Sequence, residues 1–394
     1  MGRAAFDAPR RLPHGSRSPA RCGPSLPLSI SRPVLRNVAE TLLIGAVGGT
    51  TLGWLGMPAG WLIGSMLAVA IAALAGRPML MPRRLGYGIF VLIGISLGAV
   101  VTPDTLSGMA AWPLSIAMMM VAIVAISVAS TAYLQIVHGW GHTAGMLASA
   151  PGALSQVMVM AGELGVDIRA VAIVQTIRVL IVSASLPLGL SLLGLITPGA
   201  RSIGGEFNPD LFGELAILVA LSAITATLFH RFRIPGGLLF GAMLCSGILH
   251  GSGLVHALMP WWVANAAMIA LGCVTGSRFA NTSVRLLLNF LLAAFGSLVV
   301  ALVVSGVFVA ILALGTDLRT ADVAIAFAPG AVDVMMVLAL ALHLDPVYVG
   351  AHHLMRIVFI SLVIPFSSRW SVRHSRLPPE PEPPKPQRQV PFED

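Results

Sequence analysis

The sequence predicts an all-α polytopic membrane protein built from two homologous halves. Hydrophobic residues make up 56% of its 394 positions and charged residues only 10%, whereas a soluble domain carries roughly 25% charged residues. The stretch Ala150-Pro151-Gly152-Ala153 also returns as Ala328-Pro329-Gly330-Ala331, each copy inside a long apolar run. A Pro-Gly break is costly in lipid because the freed backbone groups find no water to bond. Its duplication therefore makes the two breaks the first candidates for a binding site.

The duplication extends well beyond the Pro-Gly motif. The stretch that begins at Met57 aligns with the one that begins at Ile234, and 150–187 aligns without a gap with 328–365. The halves run from 35 to 197 and from 210 to 368. Outside them, 1–34 is a basic tail and 371–394 is a Pro-rich tail, and the composition of both predicts disorder.

Apolar runs predict about ten spanning helices, since one crossing takes about 20 apolar residues. The predicted helices are 36–55, 58–76, 85–101, 113–137, 169–196, 211–229, 236–250, 257–277, 285–314 and 346–367. Two segments are left over, 141–164 and 319–342, and each consists of two short apolar pieces joined at Pro-Gly. A piece of about ten residues is about 15 Å of helix, half the thickness of a bilayer. Each segment is thus either a re-entrant hairpin or one crossing helix unwound in the middle.

The distribution of charge favours the hairpins. Two hairpins leave five crossings in each half, so the second half is inverted relative to the first. With a cytoplasmic N-terminus, the arginines then crowd into inside loops, as the positive-inside rule expects. The alternative, two parallel halves of six crossings, removes this bias. The inside arginines are Arg77, Arg83, Arg84, Arg169, Arg231, Arg233, Arg278 and Arg285, against Arg201 and Arg319 outside.

The tips of the two broken segments are candidate anion sites. A helix that starts in the middle of the membrane presents unpaired N–H groups and the positive end of its dipole. The alternative is a kink that packs against its neighbours and touches no ligand. The residues at the tips are Pro151, Gly152 and Ser155 in the first half, and Pro329, Gly330 and Asp333 in the second.

Two arginines lie deep in apolar helices. Arg178 and Arg356 occupy equivalent positions, and each costs about 2.5–3.5 kcal/mol to insert near a helix centre. Gln175 and His353 lie three residues earlier, on the same helix face. One interpretation is that the guanidinium groups bind a carboxylate or phosphate of a substrate. The other is structural, in which they cap carbonyls of the broken hairpin or pair with a fixed acid.

Three further features have weaker implications. Asp333 is either a proton-coupling residue or a helix N-cap. Glycines at four-residue spacing predict close helix packing, either within the chain or at a dimer seam. The histidines, such as the pair His138 and His142, do not converge with other ligands in the pattern of a metal site.

The residues around both Pro-Gly motifs carry a family resemblance. The stretches that begin at Ser149, Glu163 and Val174, together with their counterparts around Ala328 and His352, resemble the bacterial AbrB-type membrane protein family. The resemblance covers roughly 35–368. It implies a membrane location and a duplicated domain, and it brings two inherited labels, a regulator of gene expression and an ammonia monooxygenase. It implies no catalytic residues.

These observations predict a secondary transporter or permease for a small anionic metabolite, with proton coupling left open. We expect it in the bacterial inner membrane with both termini cytoplasmic. Its expected partners are the lipid bilayer and the solute, with no direct nucleic-acid binding, no cofactor, no metal and no enzymatic activity; a homo-oligomer remains open. The alternative is a membrane-embedded regulator that acts through a metabolite or a partner. A membrane oxygenase is disfavoured, since no cluster of metal ligands stands out.

Overall fold

The computed structural model describes residues 32–101, 112–150, 154–196, 204–280 and 282–374. Within these ranges the regular structure is helical, apart from one isolated bridge between Gly205 and Pro260. The helices of the first half are α1 (Arg32–Trp54), α2 (Gly60–Leu74), α3 (Arg83–Gly98), α4 (Trp112–His138), α5 (His142–Ser149), α6 (Leu154–Glu163) and α7 (Ile168–Leu192). Those of the second half are α8 (Phe212–Arg231), α9 (Gly237–Gly251), α10 (Trp261–Gly276), α11 (Val284–Gly315), α12 (Thr320–Phe327), α13 (Val332–Ala341) and α14 (Pro346–His374).

The predicted membrane-protein fold is confirmed. Within the described residues, five helical stretches are long and apolar enough to cross a bilayer: Trp112–His138, Ile168–Leu192, Pro209–Arg231, Val284–Gly315 and Pro346–Val363. Helix α1 begins at Arg32, within the predicted tail, because a proline such as Pro33 is accepted in the first turn of a helix. Helix α14 likewise continues to His374, four residues into the predicted C-terminal tail.

The two halves make equivalent helix contacts, as in a pseudo-two-fold arrangement. Helices α1 to α7 correspond in order to α8 to α14, and the main packing pairs exchange when the halves are exchanged. Helix α2 packs on α10 as α9 packs on α3, and α7 packs on α11 as α14 packs on α4. The halves therefore interdigitate rather than stand side by side, and each broken segment lies against helices of both halves.

The second broken segment is a hairpin. Arg319, just before α12, donates through Nη1 to the carbonyl of His343, just after α13, at 3.1 Å. The N–H of Asp345 donates to Oδ1 of Asp322, in the first turn of α12, at 2.8 Å. The start of α12 thus lies beside the end of α13, which a crossing helix would place a bilayer apart.

The first broken segment has the register of a hairpin too. Gln175 of α7 bonds Leu147, and Arg178, one turn later, bonds Ala148, Ser149 and Ala150 of the chain leaving α5. Later residues of α7 therefore pair with later residues at the end of α5, so the two helices run in the same direction. A crossing segment would make them antiparallel, because α7 would then start at the opposite face.

Close contact between the halves depends on glycines of α3 and α10. A Cβ built on Gly94 would lie 2.7 Å from the Cβ of Ala242 in α9, and one on the equivalent Gly272 would lie 2.6 Å from the Leu62 carbonyl in α2. In contrast, a Cβ on Gly88, in the same helix as Gly94, meets nothing within 4 Å. These glycines let helices of opposite halves approach closely, as small residues do in membranes.

We expect Gly94→Ala to lower the stability of the folded protein by about 1–3 kcal/mol, the usual cost of overpacking. Gly88→Ala is the matched control and should be neutral or slightly stabilising, because alanine favours helix over glycine by about 1 kcal/mol. Thermal unfolding of both variants in detergent checks this. Equal midpoints for the two variants would contradict the close approach of α3 and α9.

Candidate functional site

The guanidinium group of Arg178 caps the broken end of α5. Its Nη1 donates to the carbonyls of Ala148 at 3.3 Å and Ser149 at 3.1 Å, and its Nη2 donates to the carbonyl of Ala150 at 2.9 Å. The last carbonyls of a helix have no partner within the helix. In a membrane this deficit must be met by protein, and Arg178, buried at 4% exposure, meets it.

Arg356 does the same for α12 in the second half. Its Nη1 donates to the carbonyl of Ala328 at 2.9 Å, and its Nη2 donates to that of Gly330 at 2.7 Å. The neighbouring polar residues also correspond, since Gln175 Nε2 bonds the Leu147 carbonyl at 2.8 Å and His353 Nε2 bonds the Ile325 carbonyl at 3.3 Å. The geometry thus favours the capping interpretation of both arginines, and the acceptors are carbonyls rather than a fixed acid.

The duplicated acids are helix caps. Asp167 Oδ1 accepts the N–H groups of Arg169 at 2.9 Å and Ala170 at 3.3 Å, at the start of α7. Asp345 Oδ1 accepts those of Val347 at 2.9 Å and Tyr348 at 3.1 Å, at the start of α14. Both satisfy N–H groups that a helix leaves unpaired at its start, which is the usual N-cap role.

Asp333 is not an N-cap. The N-cap position of α13 belongs to Ala331, and Asp333 lies in the first turn of the helix. Its Oδ2 lies 3.8 Å from Nη2 of Arg278, which follows α10. The Asp333 side chain is 18% exposed and that of Arg278 is 29% exposed. A separation of 3.8 Å is too long for a direct hydrogen bond. The two side chains therefore form a loose ion pair that connects the end of α10 to the start of α13.

This ion pair lies in the wall of a cavity of about 650 Å³. The cavity is bounded by α7, by the turn between α8 and α9, by the end of α10 and by the first turn of α13. Its polar lining residues are Gln175, Thr176, Arg178, His230, Arg233, Arg278 and Asp333. Its apolar lining residues include Phe90, Val179, Leu238, Leu239, Phe240, Val332 and Ile357.

Three charged residues of the cavity have uncharged counterparts in the first half. The alignment places Gly56 and Val100 of the first half where the second half has Arg233 and Arg278, and Ser155 where it has Asp333. Arg233 also has a positive φ of 58°, as its counterpart Gly56 does at 74°. A residue other than glycine is strained there by about 1 kcal/mol or more, and such strain is concentrated at functional sites.

The structure brings only part of the predicted site together. Gln175, Arg178 and Asp333 line the cavity, whereas Pro329 and Arg356 line a separate small gap beside α4. His353 is fully buried against α12, and the Gly330 carbonyl is held by Arg356. Pro151 and Gly152 lie outside the described residues, and so does the side chain of Ser155.

Sequence reasoning missed Arg233, Arg278 and His230, which it treated only as loop residues or not at all. The signal that could have found two of them was the internal alignment, because an arginine stands where the other half has a glycine or a valine. The remaining buried histidine, His352, has a structural environment: Nε2 lies 2.8 Å from Oγ of Ser115, and Nδ1 lies 2.8 Å from the carbonyl of Tyr348. Among the described residues, no three His, Cys, Asp or Glu side chains gather as metal ligands would.

Comparison with known proteins links most of the chain to one family. The model of the family described as "Transition state regulatory protein AbrB" matches residues 61–371, which include both hairpins and the cavity. "Uncharacterized protein YhjN" of Bacillus subtilis (strain 168) is 28% identical over 353 residues, covering 82% of this chain and 90% of that protein. "Putative regulator AbrB" of Escherichia coli (strain K12) is 25% identical over 321 residues, covering 80% and 90%. Since the family model spans most of the sequence, this chain belongs to the AbrB family.

Proposed function

We propose that this protein is a secondary transporter for a small organic anion and that the cavity is its binding site. The observation that carries the proposal is the composition of the cavity wall. Arg178, Arg233 and Arg278 line the cavity together with a single carboxylate, that of Asp333. Three guanidinium groups against one acid leave an excess of positive charge, which attracts an anion.

The position of the cavity supports transport rather than binding alone. Arg178 is bonded to the tip of the first hairpin, and Asp333 lies one turn beyond the tip of the second. The site is thus shared by the two duplicated units. In transporters with inverted repeats, the substrate binds at such an interface, and rocking of one unit against the other changes the side to which the site opens.

We also propose that the protein lies in the bacterial inner membrane with cytoplasmic termini and inverted halves. If so, the two ends of the first hairpin face the cytoplasm and those of the second face outward. We expect a membrane-impermeant thiol reagent applied to intact cells to label Asp317→Cys and His343→Cys but not His142→Cys or Glu163→Cys. Wild type provides the background from native cysteines. Labelling of only one member of either pair would contradict the inverted arrangement.

Uptake into proteoliposomes tests the transporter proposal directly. Purified full-length protein should accumulate at least one radiolabelled carboxylate or phosphate ester from a panel of organic anions. Protein-free liposomes are the control for leakage. Uptake equal to that control across the whole panel, by protein that retains a cooperative thermal transition, would contradict the proposal.

The name of the Escherichia coli relative favours an alternative, a membrane-embedded regulator. A regulator that signals through a partner needs a surface for that partner, and the tails 1–31 and 375–394 are the natural candidates. Removal of both tails should leave the uptake of a transporter unchanged. A loss of all cellular effect with intact uptake would instead favour the regulator.

A further inference from the structure

We infer that the cavity takes a monocarboxylate with an apolar body, and that binding is accompanied by the uptake of a proton at Asp333. The inference rests on the proposed role of the cavity as an anion site and goes further, because it names the chemical class of the ligand and the coupling ion. It depends on three features of the cavity: which polar groups are already bonded, where the free guanidinium lies, and what faces the carboxylate of Asp333.

Several hydrogen-bond donors of the inner wall are already bonded to protein carbonyls. Gln175 Nε2 bonds the carbonyl of Leu147, Thr176 Oγ1 bonds that of Ala172 at 2.7 Å, and Arg178 holds three carbonyls. Much of the remaining wall is aliphatic or aromatic, with Phe90 and Phe240 among its larger side chains, and its polar groups are His230, Arg233, Arg278 and Asp333. Hydroxyl groups of a sugar or polyol that lie against this apolar part would have no partners there, which costs about 1–3 kcal/mol for each group. An apolar body avoids that cost.

Arg278 is the best placed group for the head of the ligand. Its guanidinium has five N–H donors, and it is 3.8 Å from its protein partner and 29% exposed. It therefore retains donors that a carboxylate can accept in a bidentate manner. Arg233 also lines the cavity and adds positive charge there.

A ligand carboxylate on Arg278 competes with Asp333. Two carboxylates that share one guanidinium repel each other, and a proton on one of them removes that repulsion. The ligand keeps the guanidinium, and Asp333 takes a proton from water. Each binding event therefore adds one carboxylate anion and one proton, so the net charge of the cavity does not change. The pair Arg278–Asp333 thereby couples the anion to a proton.

Most other charged groups around Asp333 are bonded elsewhere, so they do not take the place of Arg278 as its partner. Arg178 of α7 and Arg356 of α14 hold hairpin carbonyls, and His352 and His353 hold Ser115 and Ile325. Asp322 of α12 accepts the N–H of Asp345, and α3 contributes the apolar Phe90 at this level. Two groups remain, Arg233 and His230, and both line the cavity from the turn between α8 and α9.

Isothermal titration of purified full-length protein with benzoate tests both parts of the inference. Titrations at pH 7 in two buffers of different ionisation enthalpy give the number of protons taken up. We expect about one proton for each benzoate bound to wild type, and none for Asp333→Asn. That variant should also bind benzoate about tenfold more tightly, because the competing carboxylate is gone. Asp317→Asn, at an exposed loop position, is the matched control and should behave as wild type.

The outcomes separate this inference from the transporter proposal. Proton uptake that persists in Asp333→Asn overturns the coupling, and tighter binding of glucose 6-phosphate or inorganic phosphate than of benzoate overturns the ligand class. Absence of benzoate binding to wild type overturns the ligand class as well. If Asp333→Asn does not fold, Asp333→Glu should keep the proton uptake, and its loss there counts against the coupling. Benzoate binding with proton uptake but without transport would overturn only the transporter proposal.

Discussion

Replacing Arg356 with alanine is expected to prevent most of the protein from reaching a stable folded state. The side chain is 1% exposed, and its two bonds satisfy the carbonyls of Ala328 and Gly330 at the break of the second hairpin. Without it, both carbonyls lie in an apolar interior with no replacement, at about 1–3 kcal/mol each. The loss of a large buried side chain adds a cavity. Together these costs are a large part of a total stability of about 5–15 kcal/mol.

Arg178→Ala should have an effect of the same size, since Arg178 holds the three carbonyls of Ala148, Ser149 and Ala150. Size-exclusion profiles and thermal unfolding in detergent measure both variants. Arg285→Ala, at an exposed position in the first turn of α11, is the control and should behave as wild type. Lysine at 178 or 356 should rescue only partly, because one ammonium cannot follow the planar fork that spans neighbouring carbonyls.

These variants also separate the two interpretations of the buried arginines. An arginine that only binds substrate would give a stable protein that has lost uptake. An arginine that caps a hairpin gives an unstable protein, whichever solute is supplied. A wild-type unfolding midpoint for both alanine variants would show that the capping bonds contribute little, and would restore the substrate-binding interpretation.

Arg278→Ala is expected to lower anion uptake by about 10- to 100-fold while leaving the protein folded. A hydrogen bond to a charged group contributes about 1.5–3 kcal/mol, which corresponds to that range. Stability should change little, because the side chain is 29% exposed and its protein partner is 3.8 Å away. Initial uptake rates at matched protein density give the measurement. Arg285→Ala again serves as the control, since it removes a nearby arginine that does not line the cavity.

The variant Arg278→Lys refines this prediction. It keeps the charge but loses bidentate geometry, so uptake should lie between that of wild type and that of Arg278→Ala. If Arg278→Ala takes up the anion at the wild-type rate, Arg278 is not part of the binding site. The inference from the positive charge of the cavity would then fail as well. Aggregated protein would be recognised by the same size-exclusion profile used for Arg356→Ala.

The helices themselves could be predicted from local patterns. The break at Pro329-Gly330 was predicted between two pieces of about ten residues, and α12 and α13 have 8 and 10 residues. The reason is that lipid allows little besides helices, so each apolar run must become one and each Pro-Gly must interrupt it. The charge pattern even favoured hairpins, which the bonds of Arg319 and Asp322 support from geometry.

The roles of individual side chains were much harder to predict. The same spacing that placed Arg178 and Arg356 deep in their helices allowed either a ligand or a carbonyl as partner. Asp333 looked like an N-cap by its position near a helix start, yet Ala331 occupies that place and Asp333 turns to Arg278. Local sequence specifies which groups need partners, but not which of several partners is near.

By itself, the sequence determined a duplicated, helical membrane protein with two broken segments. The reason is that the bilayer sets the length of each apolar helix and makes each break costly, and both effects act on local stretches of the chain. Only the tertiary structure decided that the buried arginines hold carbonyls, and that Arg278, Arg233 and Asp333 meet in one cavity. Those residues come from three separate parts of the second half and join Arg178 of the first half. Their meeting depends on how the halves interdigitate, through glycine contacts between helices distant in the chain, and no local pattern encodes that.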